Sequence, residues 1–347
     1  SITQTGGRIE AFEPVNRQYG LLRTYLVRYN NIVKNGDWQD IQADKKKYVR
    51  GDSTPVVAII RKRLQLLGDL EGNKPSMLFD DSLQSAVKRF QQRYGLSADG
   101  VVGGKTLLEM NAPLSGRIRQ LLVNMERMKW VPAEPSGDFL FVNIPEFTLH
   151  GYENGKHKFK MNVVVGSTQN HTVIFTGKLK YVVFSPFWNV PASILKNEII
   201  PGIKRNPNYL AQHNMEWNGG AVRQKPGPRN SLGLVKFLFP NSYDIYLHDT
   251  PSKSLFNESI RAFSHGCIRV SQPANLAQWI LRSQPGWTTE SINKSMHANK
   301  EKFVTVKSDI NVFIGYFTAF VDQEGRLNFR DDIYGHDKEM EEKMFLK

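Results

Sequence analysis

The chain of 347 residues is long enough for two to three domains with real cores, and it shows neither a disorder-like bias nor a low-complexity tract. A formal net charge of +13 favours an anionic partner, such as acidic lipid headgroups or an acidic wall polymer; the basic residues are scattered and no zinc-finger or RNP-like pattern accompanies them, which disfavours nucleic acid. One cysteine excludes an intrachain disulfide, and apolar runs such as 56–60 and 139–144 are strand-sized, far short of a membrane span.

The sequence opens at Ser1-Ile2 with neither an initiator Met nor a signal h-region, as expected of a processed or partial chain, so a missing anchor says nothing about the native protein. Up to about Arg50 the pattern reads as helix fragments. Tyr19, Leu22, Tyr25 and Leu26 recur at helical spacing, as do Ile32 and Val33, and Lys45-Lys46-Lys47 reads as exposed surface. Val56, Ile59, Ile60, Leu64 and Leu67 then make one helical stripe that stops at Gly68. A second stripe starts near Asp80-Asp81 and places Phe79, Leu83, Ala86, Val87 and Phe90 on one face. Turns at Gly95-Leu96 and Asp99-Gly100 lead to a short helix from Gly104 with Leu107 and Met110.

Periodicity alone gives a small three-helix unit. The string Phe79-Asp80, Ala86-Val87, Phe90-Gln91, Gly95-Leu96, Asp99-Gly100-Val101-Val102-Gly103 and Thr106 also resembles the peptidoglycan-binding domain of type one, and the likeness implies affinity for cell-wall glycopeptide.

Ser115 is the expected N-cap of a joining helix with Ile118, Leu121, Leu122, Met125 and Met128, closed by Pro132 and Pro135. Beyond it the period changes from helical to two. Strands are expected at 139–144 and 147–152, with Asn154-Gly155 as a type I′ hairpin turn into 158–165, then at 181–184 and 244–248. Residues 194–203 read as helical, and 206–229 are rich in Pro, Gly, Asn and basic residues. Such a long polar insertion in a β domain reads as a lid or binding loop with too little apolar content for a core of its own. A helix at 273–282 and strands at 304–306, 312–320 and 327–329 complete the pattern, leaving a charged terminus.

The only cysteine, Cys267, lies in Ser264-His265-Gly266-Cys267-Ile268-Arg269-Val270, downstream of Tyr246-Leu247-His248-Asp249-Thr250. A lone thiol is most often a small buried hydrophobe, but these flanks supply what nucleophilic cysteine chemistry needs. Alternation puts Tyr246 and His248 on one strand face and Cys267 and Arg269 on another. If the two strands are adjacent, imidazole, thiol, phenol and guanidinium share a pocket. His248 is the expected base, oriented by the carbonyl or side chain of Asp249, with His265 as its competitor. The amides of Gly266 and Cys267 are candidate oxyanion donors. His248 and Arg269 both favour the thiolate, which predicts a thiol more acidic than free cysteine. His248 and His265 lack carboxylate or cysteine partners at ligand spacing, so neither a metal nor a cofactor is expected.

This signature resembles that of the L,D-transpeptidases, the YkuD-domain family, and above all their long YcbB-type form. Further matching stretches are Phe184-Ser185-Pro186-Phe187-Trp188-Asn189-Val190-Pro191, Leu234-Val235-Lys236-Phe237-Leu238-Phe239-Pro240-Asn241, and Asn328-Phe329-Arg330-Asp331-Asp332-Ile333-Tyr334-Gly335, so the likeness runs from about Asp52 over most of the chain. Many shorter members carry Asn where this chain has Arg269, so the role of that position is not carried over from them.

The resemblance implies an α+β multidomain chain: a helical scaffold remnant (1–51), a three-helix peptidoglycan-binding domain (52–112), a linker helix (113–135) and a mainly-β catalytic domain (136–347) with a capping insertion at about 191–240. It implies stem peptides as donor and acceptor, carbapenems as covalent inhibitors, and a periplasmic or cell-envelope location. An inner-membrane anchor could belong to the native N-terminus. Cys267, His248, His265 and Gly266 are the expected catalytic residues, and Tyr246, Arg269, Ser264, Asp249 and Trp188 the expected substrate-binding ones. An L,D-carboxypeptidase using water, and a non-catalytic wall-binding adaptor, are the alternative readings.

Overall fold

The computed structural model describes residues 17–72, 75–131 and 137–345. The expected scaffold residues before 17, and the closing prolines Pro132 and Pro135, lie outside them. The chain divides into two compact units, one of Ser1–Pro135 with Phe317–Lys347 and the other of Ser136–Tyr316. No described helix is long and apolar enough to cross a membrane.

The first unit is helical, with α1 (Arg17–Lys34), α2 (Pro55–Leu67), α3 (Asp81–Arg93), α4 (Gly104–Met110) and α5 (Leu114–Met128). Local chemistry sets the ends of α2 and α3. Thr54 caps α2 by accepting the Val57 amide, with Pro55 in the first turn, and Gly68 closes it in the left-handed region at φ 83°. Asp80 accepts the Leu83 amide at 2.8 Å to start α3. Of the predicted stripes, Ile60, Leu64, Leu83, Ala86, Val87 and Phe90 are fully buried, whereas Ile59, expected on the inner face, is 41% exposed and Val57 is buried instead. Buried Gln91 fixes the Asp99-Gly100 turn, donating to Asp99 Oδ1 (2.8 Å) and Val101 O (3.0 Å) and accepting from Gly100 N (2.8 Å).

Three boundaries differ from the sequence reading. Fully buried Tyr48 pairs with Val102 through two 3.0 Å backbone bonds, so the three-helix module recruits chain upstream of residue 52. Helix α5 starts one residue before Ser115, after Pro113 and without a side-chain cap. The catalytic domain expected over 136–347 ends as a compact unit at Tyr316. Residues from 317 onward return to the helices because their buried groups find partners there. Asn124 exchanges two hydrogen bonds with Thr318 (2.7 and 2.9 Å), Arg127 pairs with Asp337 at 2.5 Å, and Tyr94 packs on Phe329 at 5.5 Å between ring centres.

The second unit contains β1 (Asp138–Asn143), β2 (Thr148–Glu153), β3 (Lys156–Gly166), β4 (Phe175–Lys178), β5 (Tyr181–Phe184), β6 (Trp188–Asn189), β7 (Met215–Asn218), β8 (Ala221–Gln224), β9 (Val235–Leu238), β10 (Leu247–His248), β11 (Ala262–Ser264), β12 (Ile268–Val270), β13 (Lys302–Thr305) and β14 (Ile310–Gly315). Its main sheet has eleven strands, ordered β13-β5-β9-β10-β12-β3-β2-β1-β14-β4 with β11 beside β3. Asn154 and Gly155, at φ 50° and 74°, form the predicted hairpin turn between β2 and β3. Helices Pro273–Leu281 and Thr289–Met296 follow β12. The fold is α+β, with a mainly-β unit carrying the cysteine and a helical unit carrying the three-helix module.

The insertion is smaller and better packed than its composition suggests. It comprises the sheet β6-β8-β7 and a helical stretch that includes the π-helical turn Leu195–Ile199. Val190, Ile199, Met215 and Val222 form a core of their own, with Trp188, Ile194 and Leu195 packed against it. It ends before β9, which belongs to the main sheet and not to the insertion expected to reach residue 240.

Candidate active site

Strands β10 and β12 run parallel, with Leu247 opposite Ile268 and His248 opposite Arg269. Leu247, Ile268 and Val270 are fully buried, which sends alternate side chains to the other face. Tyr246, His248, Cys267 and Arg269 therefore share that face. The strand expected over 244–248 is shortened because Asp244 sits at φ 53° and Asn241 folds the preceding turn, donating to Ile245 O at 2.8 Å.

The cysteine loop is held by its own hydroxyls. Gly266 adopts φ +115°, a region closed to residues with a Cβ, and its amide donates to Ser264 Oγ at 3.1 Å. Ser264 Oγ in turn donates to Cys267 O at 2.5 Å, and Thr172 Oγ1 donates to Gly266 O at 2.8 Å. Two expectations change as a result. Ser264 is buried and spent on the loop, so it positions the cysteine and is not left to bind substrate. The Gly266 amide is also occupied, whereas the Cys267 N–H has no acceptor among the described residues. Thr172 was missed in the sequence because its contact is 94 residues distant.

His248 is 4% exposed and donates through Nδ1 to Asp249 O at 2.5 Å, which leaves Nε2 as the basic nitrogen. The Asp249 carbonyl, and not its side chain, orients the ring. The carboxylate accepts the Leu234 amide at 2.9 Å and pairs with Lys253. Burial, reinforced by Arg269, Lys236 and Lys253, lowers the His248 pKa to about 3.

The half-buried Cys267 thiol donates to Asp244 O at 3.5 Å. Burial raises its pKa, and the Tyr246 amide and hydroxyl, with Arg269, oppose that by stabilising the thiolate. Burial and the adjacent sulfur push the Tyr246 phenol upward, so it stays protonated and able to donate. The expected acidic thiol is therefore corrected: burial outweighs its stabilisers and raises the thiol pKa, which favours a neutral thiol beside a neutral imidazole.

His265 is exposed, with Nε2 3.4 Å from Glu198 on the insertion's π-helical turn. Trp188 pairs across β6 and β8 with Gln224 and packs, half-buried, on the insertion core.

One residue missed in the sequence joins the site. Lys236 lies opposite His248 on the antiparallel neighbour β9, between buried Val235 and Phe237. A lone cation inside the apolar run Leu234–Phe239 was the available signal. Its ammonium donates to Phe187 O at 3.3 Å and lies 3.8 Å from Glu301. Among the described residues, no three His, Cys, Asp or Glu side chains converge on a metal-holding group.

Residues 137–296 match the family model described as "L,D-transpeptidase catalytic domain", and residues 53–110 match "Putative peptidoglycan binding domain". A curated Haemophilus influenzae protein named "Putative L,D-transpeptidase" is 34% identical over 243 residues, covering 64% of this chain and 49% of that protein. The chain thus spans about half the length of that relative. The L,D-transpeptidase structure from Xylanimonas cellulosilytica is 15% identical, covers 79% of this chain and all of its own, and has a TM-score of 0.26. The one from Stackebrandtia nassauensis is 16% identical, covers 79% and 98%, and has a TM-score of 0.31.

Proposed function

We propose, from the match of residues 137–296 to the L,D-transpeptidase catalytic domain, that this protein cross-links peptidoglycan stem peptides through a thioester on Cys267. The observation that carries the reading is the shared face of Cys267, Tyr246, His248 and Arg269 on two parallel strands. The Cys267 sulfur attacks the carbonyl carbon of the donor's third residue while its proton passes to His248 Nε2. A C–S bond forms, the C–N bond to the terminal D-residue breaks, and His248 returns the proton to the leaving amine. An amine of a second stem then attacks the thioester. The new C–N bond forms, the C–S bond breaks, and the amine's surplus proton returns to sulfur through His248.

The Cys267 amide faces the developing oxyanion, and Arg269 faces the substrate's anionic groups. The module at 53–110 and the net charge of +13 support retention on an acidic wall polymer. The place of action is then the periplasm or cell envelope, as expected of a YcbB-type enzyme. A carbapenem, whose strained carbonyl mimics the donor amide, is expected to acylate the same thiol. Incubation with defined muropeptides tests the reading. Dimers support it, tripeptide without dimers turns it into an L,D-carboxypeptidase using water, and binding without turnover leaves a wall-binding adaptor.

A further inference from the structure

Three basic side chains form one row across three neighbouring strands. Register sets Lys236 on β9 opposite His248 on β10, and His248 opposite Arg269 on β12. Buried Val235, Phe237, Leu247, Ile268 and Val270 fix the row on the thiol's face. Among the described residues, Arg269 has no carboxylate partner, and Lys236 has only a long ion pair that it shares with a backbone donor. Glu301 Oε1 stands 3.8 Å from Lys236 and is itself held by the Phe187 amide at 2.9 Å. Half-buried Arg269 has an Nε that is buried with no hydrogen-bond partner. Withdrawing two cations from water beside a nucleophile is unfavourable unless a ligand supplies negative charge.

The spacing identifies that ligand. Cys267, just before β12, and Arg269 lie two residues apart on one face, with their Cα atoms roughly 6.6 Å apart. In a substrate whose scissile carbonyl sits at the sulfur, the carboxyl one residue further on lies roughly 3.5 Å away. A charge-assisted hydrogen bond of about 2.8 Å spans the remainder.

We propose that Lys236 and Arg269 together clamp the free C-terminal carboxylate of the donor stem, and that its arrival frees His248 to take the Cys267 proton. The inference rests on the acyl-transfer reading above. The imidazole is flanked by two cations, with Lys253 nearby, and a third positive charge there is disfavoured. The other groups facing it do not offset this. Tyr246 and the thiol are neutral, Asp249 is spent on Leu234 N and Lys253, and Glu301 lies beyond Lys236. A carboxylate seated between the cations cancels their field, so the S–H proton can move to Nε2 and leave a thiolate. The nucleophile is armed by the substrate it cleaves, and a donor with a neutral end arms it poorly.

The test uses the full chain and two donors, a stem tetrapeptide with a free C-terminal carboxylate and the same peptide as its carboxamide. Acyl-enzyme formation, followed by quenched intact-mass measurement, separates kcat from KM. Hydrogen bonds to charged groups predict a preference for the carboxylate of roughly 10- to 100-fold, expressed in the acylation rate as well as in KM. Lys236→Met should cut that preference about tenfold, and Lys236→Arg should restore most of it. The wild-type donor pair remains decisive even if Lys236→Met folds poorly. Equal acylation of the wild type by both donors overturns the clamp while leaving acyl transfer intact, as does a folded Lys236→Met protein that keeps the full preference. A wild type acylated by neither donor overturns the acyl-transfer reading and this inference with it.

Discussion

Replacing Tyr246 by Phe should make Cys267 a weaker acid. The phenol lies against the sulfur and donates to its thiolate, whereas burial pushes the thiol pKa upward. A hydrogen bond to a charged group contributes roughly 1.5–3 kcal/mol, and one pKa unit corresponds to about 1.4 kcal/mol, so losing it is worth about one to two units. Water can reach the half-buried sulfur and replace part of the interaction, which favours the lower figure, about one unit. The ring itself is retained, so the packing of β10 against β12 should change little. The assay is the rate of iodoacetamide alkylation as a function of pH. The wild-type midpoint should lie above that of free cysteine because burial dominates, and the variant's about one unit higher still. At neutral pH the variant should then alkylate about tenfold more slowly. A variant midpoint equal to or below the wild-type value refutes the role of the hydroxyl, and a wild-type midpoint below free cysteine refutes the neutral resting pair.

His248→Ala should slow turnover by roughly two to four decades, the usual value of a positioned base, while His265→Ala should be mild because that ring is exposed and faces Glu198; steady-state rates with the order reversed would exchange the two roles. Asp69→Ala leaves Arg93 buried without the carboxylate it holds through two hydrogen bonds, and should destabilise the helical unit by about 3–5 kcal/mol in denaturant titrations. A loss under about 1 kcal/mol would show that the pair is dispensable. Val222→Ala, in the insertion core, should lower turnover on stem peptides while leaving thiol alkylation near wild type, since the cap would order substrate and not the nucleophile; equal losses in both assays would argue against a lid.

The local features of this chain were readable from its sequence because neighbours in the chain decide them. Asp80 starts a helix by capping it with its own side chain, Gly68 ends one through its left-handed backbone, and Asn154-Gly155 meets the φ demands of a two-residue hairpin. The shared face of Tyr246, His248, Cys267 and Arg269 followed from alternation once two strands were assumed adjacent. What escaped depends on partners far along the chain. Lys236 joins the site only through the register of β9 with β10, and Thr172 through a contact with Gly266. The return of Thr318 and Phe329 to the helical unit needs Asn124 and Tyr94 as partners. The insertion's core was hidden because Val190, Ile199, Met215 and Val222 are spread among polar residues and meet only after β6, β7 and β8 pair. The thiol's acidity was misjudged for a related reason: motif residues reveal nearby charges, whereas burial is a property of the whole fold.

The central claim is that Cys267 is the acyl acceptor in a transfer from stem peptides, and intact-mass analysis of the full chain after brief exposure to a tetrapeptide donor tests it most directly. The account predicts a covalent adduct equal to the donor less its terminal residue and less the thiol hydrogen, located at Cys267, discharged by an amine acceptor, and absent from a folded Cys267→Ala variant. An unmodified wild-type protein under conditions that consume the donor, or the same adduct on Cys267→Ala, would contradict it.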